Sequence, residues 1–407
     1  MSAPIAVYVH LPWCVRKCPY CDFNSHAAPG TIPENAYVQS LLADLEADLD
    51  LATGREVATV FLGGGTPSLF GPDAIDALIS GIRARLAVAP AVEVTMEANP
   101  GTVEHGHFAG YAAAGVNRVS LGSQSFDARA LAALGRIHGP DEIPAAVSEL
   151  RAAGIANFNL DLMYALPGQT VGAAVADVEA AIALGPAHVS HYQLTLEPGT
   201  AFFHHPPPLP SDDLAWEMQT QCQQALARAG FAQYEVSAYA RPGRQCRHNL
   251  NYWRFGDYLG IGAGAHGKVK VDGAVIRTEK SRSPRIYLES GGRAGERRRV
   301  PAEELPFEFM LNALRLSEGF ALADFELATG LSEAQLQPAL ERLASRGLID
   351  RERGRCRPTD LGYRFLNDLQ AEFLPERGAG SASGELCTAP SRVAPDTDFR
   401  RFVREVR

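Results

Sequence analysis

At 407 residues, 46% hydrophobic and 21% charged, the chain has the make-up of an ordinary soluble globular protein, with room for a large domain beside a smaller one. Its net charge of −9 excludes a general nucleic-acid binder, which needs a basic surface. Seven cysteines, three of them clustered, do not make a secreted disulfide framework and point to a reducing compartment, the cytoplasm by default.

The chain enters its first predicted strand, Ile5–His10, straight after Met1-Ser2-Ala3-Pro4, so no signal-peptide architecture is read. No apolar run is long enough to cross a bilayer, which leaves only peripheral membrane contact open. From Ile5 to about Leu196, short apolar runs alternate with amphipathic stretches. The predicted strands are Ile5–His10, Val57–Leu62, Val92–Ala98, Asn117–Gly122, Phe158–Tyr164 and His188–Leu194. Helices are expected at Pro33–Ala52, Asp73–Leu86, Pro140–Ala153 and Thr170–Leu184. Such alternation means βαβ units and a parallel sheet, either open or curled into a partial barrel. In both arrangements ligands gather at the carboxyl ends of the strands.

The non-packing residues follow that rule. After the first strand come Cys14, Cys18 and Cys21, spaced C-x3-C-x2-C on a loop. Soft thiolates on a short loop can wrap one site. No fourth cysteine follows: Phe23 stands where a C-x-C ligand would be, and His26 is the nearest candidate. Three thiolates and one vacant corner suit a [4Fe–4S] cluster, with a zinc knuckle or three unrelated buried thiols as the alternatives. The second strand runs into Gly63-Gly64-Gly65-Thr66-Pro67, where glycines let backbone amides approach a ligand as an anion nest. The third ends in Glu97-Ala98-Asn99-Pro100, the fourth in Gly122-Ser123-Gln124-Ser125-Phe126, and the fifth carries Asp161. Each carboxylate needs a partner if buried. Singly each reads as a cap or an ion pair; repeated at one end of successive strands, they read as one polar site.

Beyond the barrel, residues 206–300 begin with a stiff connector, Pro206-Pro207-Pro208-Leu209-Pro210. A helix capped by Ser211 runs to about Ala229, and Tyr234–Ser237 reads as a short strand. Cys246-Arg247-His248-Asn249-Leu250-Asn251-Tyr252-Trp253 and a glycine-rich stretch to Gly267 follow. His248 and Cys246 carry donors competent to bind a metal, and Arg241, Arg244, Arg247 and Arg254 stand nearby; packing against the strands is the plainer reading. Arg277–Arg299 reads as a linker with a solvated basic run. Residues 306–373 change pattern to helices at Glu308–Leu316, Ala321–Thr329, Ser332–Ser345 and Asp360–Leu369 with two short strands, a small winged-helix-like α+β domain whose third helix is not basic. The Gly-, Ser- and Pro-rich tail, 376–407, is expected to be disordered.

The cysteine triplet with Tyr20 before Cys21 resembles the signature of radical S-adenosylmethionine (SAM) enzymes, and agreement of many further strings extends this to the coproporphyrinogen III dehydrogenase-like group. The resemblance decides for a partial (β/α)6 barrel over residues 1–205. It implies a [4Fe–4S] cluster on Cys14, Cys18 and Cys21 whose free iron is chelated by SAM and whose electron cleaves SAM. It further implies SAM contacts at Tyr8, Tyr20, Gly64, Gly65, Thr66, Glu97, Gln124, Arg136 and Asp161. The HNxxYW string is similar to the haem-binding element of the haem chaperones in that group, which implies haem, with His248 and Cys246 as candidate axial ligands and the nearby arginines for its propionates, a homodimer, and haem-accepting partners such as respiratory haemoproteins. The dehydrogenases instead remove two propionate carboxylates. They resemble this chain less, since they carry a fourth cysteine where Phe23 stands and an extension ahead of the first strand.

Overall fold

The computed structural model describes residues 3–28, 30–101 and 107–375. It divides into a unit of Met1–Tyr252, Gly256–Val271 and Ile276–Arg298, and a second of Trp253–Phe255, Asp272–Val275 and Arg299–Arg407. The expectation for 376–407 falls outside the described residues.

The first unit is built on one sheet. Its strands are β1 (Ile5–Leu11), β2 (Glu56–Gly64), β3 (Ala87–Ala98), β4 (Arg118–Gln124), β5 (Phe158–Tyr164), β6 (His188–Gln193), β7 (Ala232–Glu235), β8 (Ala238–Ala240), β9 (Tyr258–Ile261), β10 (His266–Val271), β11 (Ala274–Lys280) and β12 (Gly295–Arg299). Their spatial order is β12-β11-β10-β9-β1-β2-β3-β4-β5-β6-β8-β7. Strands β1 to β6 are all parallel and lie in sequence order with no reversal. A doubly wound sheet would reverse direction at a switch point; this one curls one way, as a partial (β/α)6 barrel does.

The two faces follow from alternation. Ile5, Val7, Val9 and Leu11 of β1 point outward, packed with Val38, Leu41, Leu42 and Leu45 of the helix Glu34–Ala47. Tyr8 and His10 point into the barrel. The same outer layer takes Ile75, Leu78, Ile79 and Ile82 of the helix Pro72–Arg85. Each such side chain contributes about 1.5–3 kcal/mol on burial. Three-residue spacing along these helices keeps the apolar stripe on the sheet.

Sequence periodicity misses one region. Arg277–Arg299, expected to be a linker, forms most of β11, the helix Pro284–Glu289 and β12. The strand alternation is masked because Arg277 and Lys280 are buried despite their charge. Arg277 Nη1 donates to Tyr258 Oη at 3.0 Å, and Lys280 is held by two aspartates.

The second unit holds helices Leu305–Ala313, Leu322–Thr329 and Gln337–Ser345 with strands β13 (Phe320–Ala321), β14 (Ile349–Glu352) and β15 (Arg355–Pro358) in the order β13-β15-β14. This is a winged-helix-like α+β domain. Its third helix, expected to be continuous from Ser332, is interrupted: a 3-10 turn at Glu333–Gln335 precedes Gln337–Ser345, with Pro338 in the first turn. Proline lacks an N–H and is tolerated only in a first turn. Arg342 and, just past the helix end, Arg346 both pair with Glu372, at 3.1 and 2.8 Å.

Candidate functional site

The loop after β1 is closed by its own backbone. Trp13–Cys14 and His26–Ala27 pair as a short parallel ribbon, and Cys21 N–H donates to Cys18 O at 3.2 Å. All three cysteines are free and half-buried. Each sulfur has a hydrogen-bond partner of its own. Thr66 Oγ1 donates to Cys14 Sγ at 3.4 Å, Arg136 Nη1 to Cys18 Sγ at 3.7 Å, and Ser25 Oγ lies 3.6 Å from Cys21 Sγ. Burial pushes the Cys14 and Cys21 thiols up in pKa, while the Thr66 and Ser25 contacts oppose that shift.

Two of these partners are themselves joined through Asn99. Its amide Nδ2 donates to Thr66 Oγ1 at 3.1 Å, and its Oδ1 accepts from Arg136, which also donates to Gly122 O at 2.8 Å. A polar chain therefore runs Cys14–Thr66–Asn99–Arg136–Cys18, drawing on the ends of β1, β2, β3 and β4. Asn99 was not among the residues singled out from sequence. Its signal was its place just before Pro100 at a strand's carboxyl end. Arg136, which also reads as a solvated helix-end residue, is half-buried and engaged on both sides.

His26 turns away, with Nε2 3.2 Å from Asn24 Oδ1. Phe23 is exposed. Neither supplies a fourth donor, so the loop offers three thiols. Among the described residues no group of three or more His, Cys, Asp or Glu is arranged to hold a metal ion. A four-iron cube spreads its irons and asks for thiols set round a cavity rather than converged on a point. Three free, unbridged thiols on one loop, each with a hydrogen-bonding partner to its sulfur, fit that requirement.

The glycine triplet works differently from the expected nest. Gly64 N–H donates to Glu97 Oε2 at 3.1 Å, Gly65 N–H to Leu11 O and Thr66 N–H to Trp13 O, both at 2.8 Å. These amides are spent on the protein itself. Glycine is needed because Gly64 sits at φ 112° and a Cβ there would lie 2.6 Å from the His10 ring; at Gly65 it would lie 2.6 Å from Trp13 O.

Below this rim the barrel lumen is polar. Tyr8 Oη contacts His10 Nδ1 at 2.9 Å and its ring stacks on Phe61. Glu97 and Asp161 face each other electrostatically. Burial first, then the Asp161 charge, raise the Glu97 carboxyl from 4.5 to about 8, with the Gly64 N–H opposing. Burial likewise raises Asp161, against donors from Ser120 and Asn159. Gln124 ends β4 in the left-handed region at φ 64°, a strained setting for a residue with a side chain. Tyr20 packs beside Phe202, ring centroids 6.4 Å apart, and beside Arg136. The structure thus links Cys14 and Cys18 through Thr66, Asn99 and Arg136 and joins Gly64 to Glu97, with Tyr8 and Asp161 in the lumen.

A pH dependence follows from Glu97. Its neutral form is the one the fold prefers, so its contribution to stability is full below about pH 4.5 and is lost as pH rises through about 8. The urea midpoint of the metal-free protein is expected to fall between pH 5.5 and 8.5, and Glu97→Gln, which keeps an acceptor for Gly64, is expected to flatten that fall. An unchanged slope in the variant would remove Glu97 from the account.

His248 and Cys246 lie elsewhere than a haem surface. Both are fully buried. His248 Nδ1 is 2.8 Å from Thr59 Oγ1 and Nε2 is 2.9 Å from Tyr252 Oη, and burial lowers its pKa to about 3. The helix Arg247–Trp253 has its first amides capped by Glu93, which accepts from Arg247 N and His248 N and contacts Cys246 Sγ. In this arrangement neither side chain has a free, accessible ligand atom, and the helix plugs the barrel.

The sequence matches the family described as Radical SAM superfamily over residues 8–181 and that described as HemN C-terminal domain over residues 300–365. It is 50% identical over 374 residues to "Heme chaperone HemW" of Escherichia coli (strain K12), covering 92% of this chain and 99% of that protein. It is 38% identical over 384 residues to "Heme chaperone HemW" of Mycobacterium tuberculosis (strain ATCC 25618 / H37Rv), covering 91% and 95%. Among solved structures it shares the fold of coproporphyrinogen III oxidase (HemN) from Escherichia coli, with TM-score 0.77 and 21% identity over 91% of this chain and 90% of that one.

Proposed function

The chain belongs to the heme chaperone HemW family of the radical SAM superfamily, and on that premise we propose that it binds haem and delivers it to acceptor proteins, using a [4Fe–4S] cluster and SAM as resident cofactors. The observation that carries the chaperone reading is the 50% identity to a heme chaperone across 92% of the chain. The cofactor reading is supported by the three free cysteines and the Thr66–Asn99–Arg136 chain that reaches two of them.

Cys14, Cys18 and Cys21 would hold the cluster, which supplies, when bound, a reducing electron and an open iron for SAM. Arg136 donates to Cys18 Sγ and Thr66 to Cys14 Sγ, and the Thr66 contact opposes the rise that burial gives the Cys14 thiol. On this reading Tyr8, Tyr20, Gly64, Gly65, Glu97 and Gln124 would contact SAM, and Asp161 would offer a carboxylate to its ribose hydroxyls. Haem, the cargo, is not assigned to His248 or Cys246, which are sealed in the barrel. The reading carries with it a reducing, cytoplasmic setting, supported by six free cysteines among the described residues, and a homodimer, supported by the family resemblance. Among the described residues no helix is long and apolar enough to cross a membrane.

The test compares two activities on one oxygen-free, reconstituted preparation. The protein is expected to retain haem through desalting and pass it to an apo-haemoprotein, with no loss of carbon dioxide from coproporphyrinogen III under reducing conditions. Turnover of the porphyrinogen would replace the chaperone reading with that of a dehydrogenase.

A further inference from the structure

One polar chain in the barrel converges on the Asp161 carboxylate. Asn159 on β5 is buried between Asp161 and His188. Its amide nitrogen is fixed by two acceptors, Asp161 Oδ1 at 2.8 Å and Ser120 Oγ at 2.7 Å. Its oxygen therefore faces Ser190 Oγ, which donates at 3.1 Å, and His188 Nδ1 at 2.6 Å. That nitrogen must carry the proton, so His188 is the neutral Nδ1–H tautomer. Its Nε2 then accepts from Tyr234 Oη at 2.8 Å, and the tyrosine oxygen accepts from Cys246 N–H at 3.3 Å. Ser120 Oγ, having accepted from Asn159, donates to Asp161 Oδ2 at 2.9 Å. Flipping the Asn159 amide would turn its oxygen on an Asp161 oxygen and lose the Asn159–Asp161 hydrogen bond.

We propose that Asn159, locked by His188 and Ser190, is the positioning residue that aims Asp161 at the hydroxyls of a bound nucleoside. Both oxygens of Asp161 receive a donor from the barrel side, Oδ1 from Asn159 and Oδ2 from Ser120, which opposes the rise that burial gives this carboxyl and fixes its plane. Ser190 is a further partner of the same group, which leaves lone-pair capacity for a ligand. The lock continues through Tyr234 to the backbone at Cys246, so the plugging helix and the carboxylate belong to one network. The proposal rests on the reading of Asp161 as a ribose ligand given above.

The test uses the full-length, oxygen-free reconstituted protein with its cluster verified by absorbance. Dissociation constants are measured by equilibrium dialysis for SAM and for its analogue lacking both ribose hydroxyls. Asn159→Leu is expected to weaken SAM by about 10- to 100-fold, the span of hydrogen bonds to a charged group, and to leave the dideoxy analogue nearly unchanged. His188→Asn puts an amide donor where Nδ1 stands and is expected to retain most of the SAM affinity that His188→Leu loses. Should Asn159→Leu fail to load its cluster, the His188 pair carries the comparison alone. Equal weakening of both ligands, or no weakening of either, overturns the proposal. If the unaltered, cluster-bearing protein binds no SAM, the reading of the site falls first and takes the proposal with it.

Discussion

Alanine at Cys14, Cys18 or Cys21 is expected to abolish the visible absorption and the EPR signal of the reconstituted protein, each substitution by itself. The loss should be complete rather than graded, because the loop offers only three thiols. His26 is turned to Asn24 and Phe23 is exposed, so among the described residues of this loop no further donor stands ready to substitute. Two thiolates cannot retain a cube that three hold against a chelating solvent. Cys222 and Cys356 give the contrast. Both are buried as small apolar groups, with thiols raised in pKa by burial, the state of an inert structural cysteine. Cys222→Ala and Cys356→Ala are expected to cost a little stability and to leave both signals intact. A full signal from Cys18→Ala, or its loss in Cys356→Ala, would move the cluster off this loop.

The six barrel strands could be read from the sequence because each is a short, bounded run with apolar residues at alternate positions, while their closure into a barrel came from the family resemblance. The cysteine loop was equally legible, since a C-x3-C-x2-C spacing has few other uses. What stayed hidden was polar and long-range. Asn99 looks like a residue before a proline, and only the fold brings Thr66 to one side of it and Arg136 to the other. Glycines 64 and 65 were legible as close-approach positions, but not that the approaching groups are the protein's own His10 ring and Trp13 carbonyl. His248 was chosen for its chemistry, and periodicity says nothing about a seven-residue helix that plugs a barrel. Strand β11 failed for a related reason: a buried lysine and arginine look like surface until their partners are known.

Lys280→Met is expected to be among the most destabilising single changes in the first unit, costing about 3–5 kcal/mol as a broken buried ion pair does. The ammonium lies 2.5 Å from Asp44 Oδ1 and 2.7 Å from Asp48 Oδ2, all three side chains almost wholly buried. Burial works against its charge, but the two carboxylates outweigh that and hold its pKa above the ordinary value. Without it Asp48 keeps Arg297 at 2.9 Å, while Asp44 keeps only neutral donors, Tyr287 Oη at 2.7 Å and Gly262 N–H at 3.0 Å. Urea unfolding of the reduced protein measures the loss. Adding Asp44→Asn to Lys280→Met removes the stranded charge and is expected to recover a substantial part of it, whereas a loss below about 1 kcal/mol in the single variant would mark the cluster as incidental. The consequence reaches the cysteine loop by a traceable route. Asp44 fixes Gly262, which sits at φ 109° against His10 O, and Tyr37 Oη ties His10 O to Ala263 N–H. Asn24 of the loop then donates to Ala263 O at 2.8 Å, and its carbonyl meets His10 Nε2 at 2.9 Å. Lys280→Met should therefore also shorten the lifetime of the assembled cluster under a chelator, and Asp44→Asn should lengthen it again in the double variant.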